Sequence, residues 1–179
     1  MRPASLVPTA IIGLAFLVVA VIFLWGATWY FIFKTVHVLF AVIWIGGGAL
    51  LTIYGLRAER AGDPSEVAQI SRMAAFAGEK IFAPAALVVL AAGIGMTFNA
   101  KMSYDQFWLI FGLIGFASTF VIGMGVLGPK AKRLSVTAAE KGPEAPETQA
   151  AISQILLIAR VDMAVLMLVV IDMVAKPFI

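Results

Sequence analysis

The chain contains a single histidine, His37, followed seven residues later by Trp44 and then by three glycines at positions 46–48. Seven residues are two turns of helix, so the imidazole and the indole leave roughly the same face. An imidazole in such a setting can ligate a metal or haem, or carry a proton. It can equally make a helix-to-helix hydrogen bond with the tryptophan packed beside it. A second set of groups lies near the C-terminus, where Arg160, Asp162, Asp172 and Lys176 interrupt an otherwise apolar run. Asp172 and Lys176 stand four apart in the order that favours an ion pair along a helix. Asp172 also falls at a level where it could meet His37 and hold its tautomer. Arg160 and Asp162 are two apart and face nearly opposite sides of a helix, so they do not simply neutralise each other. Arg160 can reach the interface or pair with Glu79, whereas Asp162 lies deeper. Ionisable groups at that depth mark a pathway or ligand site, or an ion pair that sets helix register.

Other chemistry is narrowly bounded. Met96, Met102 and Met173 are expected on the same side as His37, and thioethers with imidazole suit copper(I). Met163 and Met167, one turn apart, read as core filler. The chain has no cysteine, which excludes disulfides, thiolate metal sites and a cysteine nucleophile. It has no glycine-rich phosphate loop, no His-x3-His spacing and no nucleophile with a base beside it.

Helices in a bilayer must position these residues. Of 179 residues, 62% are hydrophobic and 13% charged, more apolar surface than a soluble domain of this size can hide. Runs of about 18 or more apolar residues match a bilayer core, and the short alternating segments of a transmembrane barrel do not occur. The sequence predicts an all-α, polytopic transmembrane bundle of five spans, at about 9–26, 31–56, 81–98, 104–127 and 148–175. Residues 1–27 read as an extra N-terminal transmembrane helix and 28–179 as a four-helix membrane domain. Gly62 reads as a stop, and Asp63, Pro64 and Glu66 as the cap, first residue and first-turn acid of an amphipathic helix. Pro84 should loosen the start of the third span. Ser103 with Gln106 reads as a capping box for the fourth, and Gly128-Pro129 as its stop, with a polar stretch at 130–148 after it. Gly46 to Gly48, Gly93, Gly95, Gly112, Gly115 and Ser118 are expected at helix contacts.

Basic residues orient the spans. Arg2, Arg57, Arg60, Arg72, Lys80, Lys130, Lys132, Arg133 and Lys141 fall on one side, against Lys34, Lys101 and Lys176 on the other. The positive-inside rule then makes the N-terminus cytoplasmic and the C-terminus external. Trp25, Trp29, Tyr30, Tyr104 and Trp108 collect on the outer side as an interfacial belt does, and His37 lies near the external face. A net charge of +3 is ordinary for a membrane protein and points to no nucleic-acid partner.

From Thr28 onward the chain reads TWYFIFKTVHVLFAVIWIGGG, then RAGDP, EKIFAP, AAGIGM, LGPKAKRL, ARVDM and VIDMVAKP. In this order the motifs closely resemble a family of predicted bacterial integral membrane proteins of unknown function, common in actinobacteria, over about residues 28–177. The resemblance implies four spans and a bacterial inner membrane, and leaves the first span as an addition. Within one helix, the His-x6-Trp-x-Gly-Gly of His37, Trp44, Gly46 and Gly47 is similar to the first helix of membrane copper-resistance proteins. It also resembles that of the membrane-bound, haem-binding protoporphyrinogen oxidases. That likeness implies His37 as the position for haem; the second histidine of a bis-histidine site is missing here, and the residues themselves offer only a single-histidine haem with a methionine as second ligand.

Two functions follow as expectations. The first is a membrane protein without a catalytic set, an accessory or scaffold subunit that packs against other membrane subunits or itself. Its small size and glycine-rich faces speak for it. The alternative is a small haem- or copper-binding membrane protein using His37 near the external face. A third reading, a proton-coupled carrier built on Asp162, would need several copies to enclose a path.

Overall fold

A backbone in hydrocarbon must satisfy its own polar groups, and the described residues do so with helices alone. The structure, a computed structural model, describes residues 6–61, 63–142 and 144–177. Its α-helices are α1 (Leu6–Leu24), α2 (Trp29–Ala41), α3 (Gly47–Ala61), α4 (Pro64–Ala77), α5 (Ala83–Asn99), α6 (Phe107–Val121), α7 (Gly128–Lys141) and α8 (Pro146–Ala175). Three π-helical turns, π1 (Val42–Gly46), π2 (Gly78–Phe82) and π3 (Ile122–Leu127), join α2 to α3, α4 to α5 and α6 to α7 without a break. The result is four long rods, Trp29–Ala61, Ser65–Asn99, Phe107–Lys141 and Pro146–Ala175, each long and apolar enough to cross a membrane. With the shorter apolar α1 they make the expected all-α membrane bundle.

The local signals fare unevenly. The carboxylate of Asp63 caps α4, accepting from the Ser65 amide at 2.9 Å, the Glu66 amide at 3.4 Å and the Ser65 hydroxyl at 2.8 Å. The bond from the Ser65 hydroxyl, then those from the two amides, hold this carboxyl below its ordinary range. Gly62, expected as the stop before it, and Arg2 lie outside the described residues.

Gly128-Pro129 is not a stop, because α7 follows π3 directly and residues 130–141 are helical. A proline lacks an N–H and crowds the carbonyl four residues back. For Pro129 that carbonyl belongs to Gly125, inside π3; for Pro84 it belongs to Lys80, inside π2. The wider π turn takes up the misfit, so the helix loosens and continues. Nor does the Ser103–Gln106 box form. Gln106 is the N-cap residue of α6 without a side-chain cap bond, and Ser103 donates to the Asp105 carboxylate instead. The preceding turn sets this connection. Lys101 adopts a left-handed φ of 51°, its amide bonds the Phe98 carbonyl at 3.1 Å, and the Met102 amide bonds the Thr97 carbonyl at 3.0 Å. This is a Schellman closure of α5.

Packing divides the molecule into two halves. In one half α3, α4, α7 and α8 contact one another in a closed ring, α3 to α4, α4 to α7, α7 to α8 and α8 to α3. The buried cluster Leu134, Ile152 and Leu156, flanked by Val67, Ala151 and Ile155, fills it. In the other half the helices form two pairs, α2 on α5 and α6 on α8. The three π turns touch where the halves meet, π1 on π2 and π2 on π3. Close approach depends on small residues. A Cβ at Gly47 would stand 2.6 Å from the Phe82 ring, one at Gly55 2.8 Å from Leu156 and one at Gly95 2.9 Å from Phe33. Gly46 meets nothing within 4 Å and Ser118 is exposed, so these two do not serve the contacts expected of them. Of α1, the side chains from Ala10 to Leu24 are exposed or half-exposed, and among the described residues the helix has no substantial contact with the bundle.

Candidate binding cleft and buried carboxylates

The two helix pairs stand apart over a cleft of about 460 Å³, and His37 on α2 forms part of its wall. Its ring Nδ1 lies 2.8 Å from the carbonyl oxygen of Val89 on α5. A carbonyl only accepts, so Nδ1 carries the proton and Nε2 of the neutral ring keeps a lone pair. The imidazole reaches Val89 because position 93 is glycine: a Cβ there would stand 3.2 Å from Cε1 and Nδ1. The rest of the lining is apolar and aromatic, with Trp44, Tyr104, Trp108 and Phe116 among the rings. Trp44 and Phe116 meet edge-on, their centroids 5.5 Å apart. Met96 and Met173 join His37 on this cleft, as does Met167, while Met102 does not. A space of this size and polarity falls in the range of about 300–1,000 Å³ usual for ligand pockets. Among the described residues no three of His, Cys, Asp and Glu gather to hold a metal ion. A metal at His37 would therefore need thioether partners.

The contacts expected around Asp172 are replaced by others. His37 turns to the Val89 carbonyl rather than to this carboxylate. Asp172 is buried at 6% exposure, and its Oδ2 has no hydrogen-bond partner. Lys176 does not pair with it either. Its residue closes α8 in a left-handed turn, φ 45°, with its amide on the Asp172 carbonyl at 2.7 Å. That turn carries the ammonium over the Trp108 ring, 4.8 Å from the centroid. Trp108 itself is buried at 3% exposure and donates from Nε1 to Gln106 Oε1 at 3.0 Å. It is a core residue, whereas Trp25 and Trp29 of the same expected belt are exposed.

Arg160 pairs with Glu59 of α3 at 2.8 Å, not with Glu79. Glu79 instead takes Lys80, its neighbour in π2, at 2.6 Å, and both are exposed. Glu59 and Arg160 face each other because α3 packs on α8, whereas π2 has its main contacts within its own rod. Asp162 does face the opposite way from Arg160. It is buried at 9% exposure with no hydrogen-bond partner for Oδ1, and lines a second cavity at the junction of the halves.

Several residues of this arrangement escaped sequence reading. Val89 contributes a backbone carbonyl, which has no side-chain signature. Thr119 is 1% exposed and bonds the carbonyls of Gly115 and Phe116, both at 3.1 Å. Thr97 and Tyr104 share a hydrogen bond of 3.1 Å across the α5–α6 connection. The Gln106-x-Trp108 spacing was the one legible hint, since a buried indole needs a nearby acceptor. No curated protein and no solved structure matches the chain. Residues 31–177 match the family model described as "Predicted integral membrane protein (DUF2269)", and the chain belongs to that family.

Proposed function

We propose that the chain is a membrane protein without a catalytic set of its own, whose outer cleft binds an apolar cofactor through Nε2 of His37. What supports this best is the conjunction of an imidazole whose Nδ1 proton is taken by the Val89 carbonyl with an apolar cleft of about 460 Å³. A fixed tautomer orients the remaining lone pair, as the hydrogen-bonded partners of ligating histidines do. Haem suits the cleft better than copper(I). The macrocycle of haem, apart from its two propionates, is flat and apolar and would suit the aromatic walls, and Met96, Met167 or Met173 of the lining could serve with His37 to hold its iron. A bare ion would leave most of the cleft empty.

The location belongs to the same reading: a bacterial inner membrane, with the closed half and the N-terminus in the cytoplasm and the cleft outside. Its support is the placement of Arg57, Arg60, Arg72, Lys80, Lys130, Lys132, Arg133 and Lys141 on α3, α4, π2 and α7, which the positive-inside rule assigns to the cytoplasm.

A second reading is favoured by α1. An apolar helix whose described side chains, Ala10 to Leu24, are exposed or half-exposed, with no substantial contact to the bundle among the described residues, suits an accessory or scaffold subunit that packs against other membrane proteins or a second copy. One experiment separates the two. The protein is purified in mild detergent, and a visible spectrum and metal analysis are recorded. The cofactor reading expects a Soret band that His37→Ala abolishes. A colourless, metal-free protein that travels with a larger assembly overturns it in favour of the subunit reading.

A further inference from the structure

A second cavity, of about 170 Å³, runs from where the three π turns meet into the closed half, where Leu134, Ile152 and Leu156 form part of its wall. It has contributions from all four rods and runs along the first of them from Trp44 to Gly55. Most of its wall is aliphatic or aromatic, Phe82 and Phe120 included. Four side chains bring polar oxygens: Thr52, Ser71, Thr119 and Asp162. The three hydroxyls are already committed as donors to carbonyls of their own helices, Thr52 to Gly48 at 2.9 Å, Ser71 to Val67 at 2.8 Å and Thr119 to Gly115 at 3.1 Å. None is left to donate to the carboxylate, and each keeps acceptor lone pairs. The lining holds no Lys, Arg or His. The cation nearest in sequence, Arg160, is occupied by Glu59. Asp162, whose Oδ1 is buried and without a partner, thus lines a space whose other polar groups are three hydroxyls kept as acceptors and the Trp44 indole.

Such a site has one kind of complement. An ionised carboxylate there repels an anion, and a neutral donor leaves its charge uncompensated. A cation answers both the carboxylate and the aromatic faces. A bare inorganic ion needs a shell of about six oxygens, whereas this wall is mostly carbon. We propose that this cavity binds a small organic cation with an apolar body, an alkyl- or aralkylammonium, with Asp162 as its counter-charge. Met124, 40% exposed and part of the lining, marks the edge where the cavity reaches the surface. The site does not include His37, although Trp44 and Leu166 line both spaces, and its test needs no cofactor in the outer cleft.

The test is isothermal titration calorimetry of the full chain in a zwitterionic detergent, with benzyltrimethylammonium as probe. Its charge is permanent, so the probe does not itself titrate. One saturable site is expected. Asp162→Asn should weaken binding at least tenfold, while Asp172→Asn, at the other buried carboxylate, leaves it unchanged. Circular dichroism and gel filtration check that each variant folds. If Asp162→Asn does not fold, Thr52→Phe, which fills the cavity from a half-buried position, should abolish binding in its place. The proposal is overturned by absence of saturable binding, or by equal binding in a folded Asp162→Asn. Equal binding of the uncharged isostere neopentylbenzene, or heat from sodium or potassium chloride alone, overturns it as well.

Discussion

The Val89 carbonyl holds His37 by one side of its ring, and that follows from a missing methyl group. With glycine at 93 the ring lies against α5; an alanine Cβ at 3.2 Å from Cε1 and Nδ1 would push it back by a few tenths of an ångström. Gly93→Ala is therefore expected to leave helix content intact and stretch the Nδ1 bond; on the proposed cofactor reading it weakens retention by about 10- to 100-fold, as loss of a ligand's supporting bond usually does. The ratio of Soret absorbance to protein in purified samples reads this out. Backbone chemistry gives a second prediction. Lys101 holds a left-handed φ of 51° at a position glycine normally takes. Lys101→Gly should stabilise the protein by about 1 kcal/mol, the cost of that conformation for a residue with a Cβ, seen as a higher midpoint in thermal unfolding. Asp63 gives a third. Its carboxyl titrates below the ordinary 3.8 when folded, so the cap's contribution is complete above that value and is lost as pH falls through the lower, folded one. An amide-shift titration of Ser65 should place the midpoint below 3.8; a midpoint at or above it would sink the capping account. The cap was readable from Asp-Pro-x-Glu because all its atoms lie within four residues. The His37 partner was not, because a carbonyl 52 positions away leaves no mark in the sequence.

Proline and glycine punctuation misled at the next scale for a related reason. Gly128-Pro129 ends a helix in isolation, where nothing compensates the missing N–H. Here Gly125 and its neighbours form π3, and the contacts of α7 with α4 and α8 hold the helix together beyond the proline. Tertiary packing decided the outcome, and packing partners are what local pattern cannot supply. The same applies to Arg160. Its depth was readable from an apolar run, yet its partner depended on α3 lying beside α8. The pair with Glu59 leaves Arg160 46% and Glu59 35% exposed, so solvent screens it. A double-mutant cycle of Glu59→Gln and Arg160→Gln should return a coupling of only about 0.2–1 kcal/mol, falling as salt is raised. A larger, salt-insensitive coupling would mean that the pair is enclosed by lipid or by a partner chain.

At the scale of the molecule, rod length and bilayer thickness do not match. A 35-residue rod is about 52 Å long at the α-helical rise, against about 30 Å of hydrocarbon. Tilt absorbs part of the difference, and the rest must project. The projecting parts are legible from charge: α4 carries Glu66 and Arg72, and α7 carries Lys130, Lys132, Arg133, Glu140 and Lys141. Their apolar faces meet each other and α8 around Leu134, Ile152 and Leu156. The closed half bears most of the charge, although Leu50, Ile53, Met73 and Phe76 leave apolar surface on it as well. The open half, where exposed apolar faces come with few charges, is the part most suited to hydrocarbon. Orientation then has a direct test. The chain has no cysteine, so a single one reports without background. Glu140→Cys, on the exposed face of α7, should resist an impermeant maleimide added to intact cells and react fully in inverted vesicles. Ala100→Cys, exposed at the opposite end of the bundle, should show the reverse. Labelling of position 140 from outside would turn the molecule over and put the His37 cleft, with whatever it binds, on the cytoplasmic side.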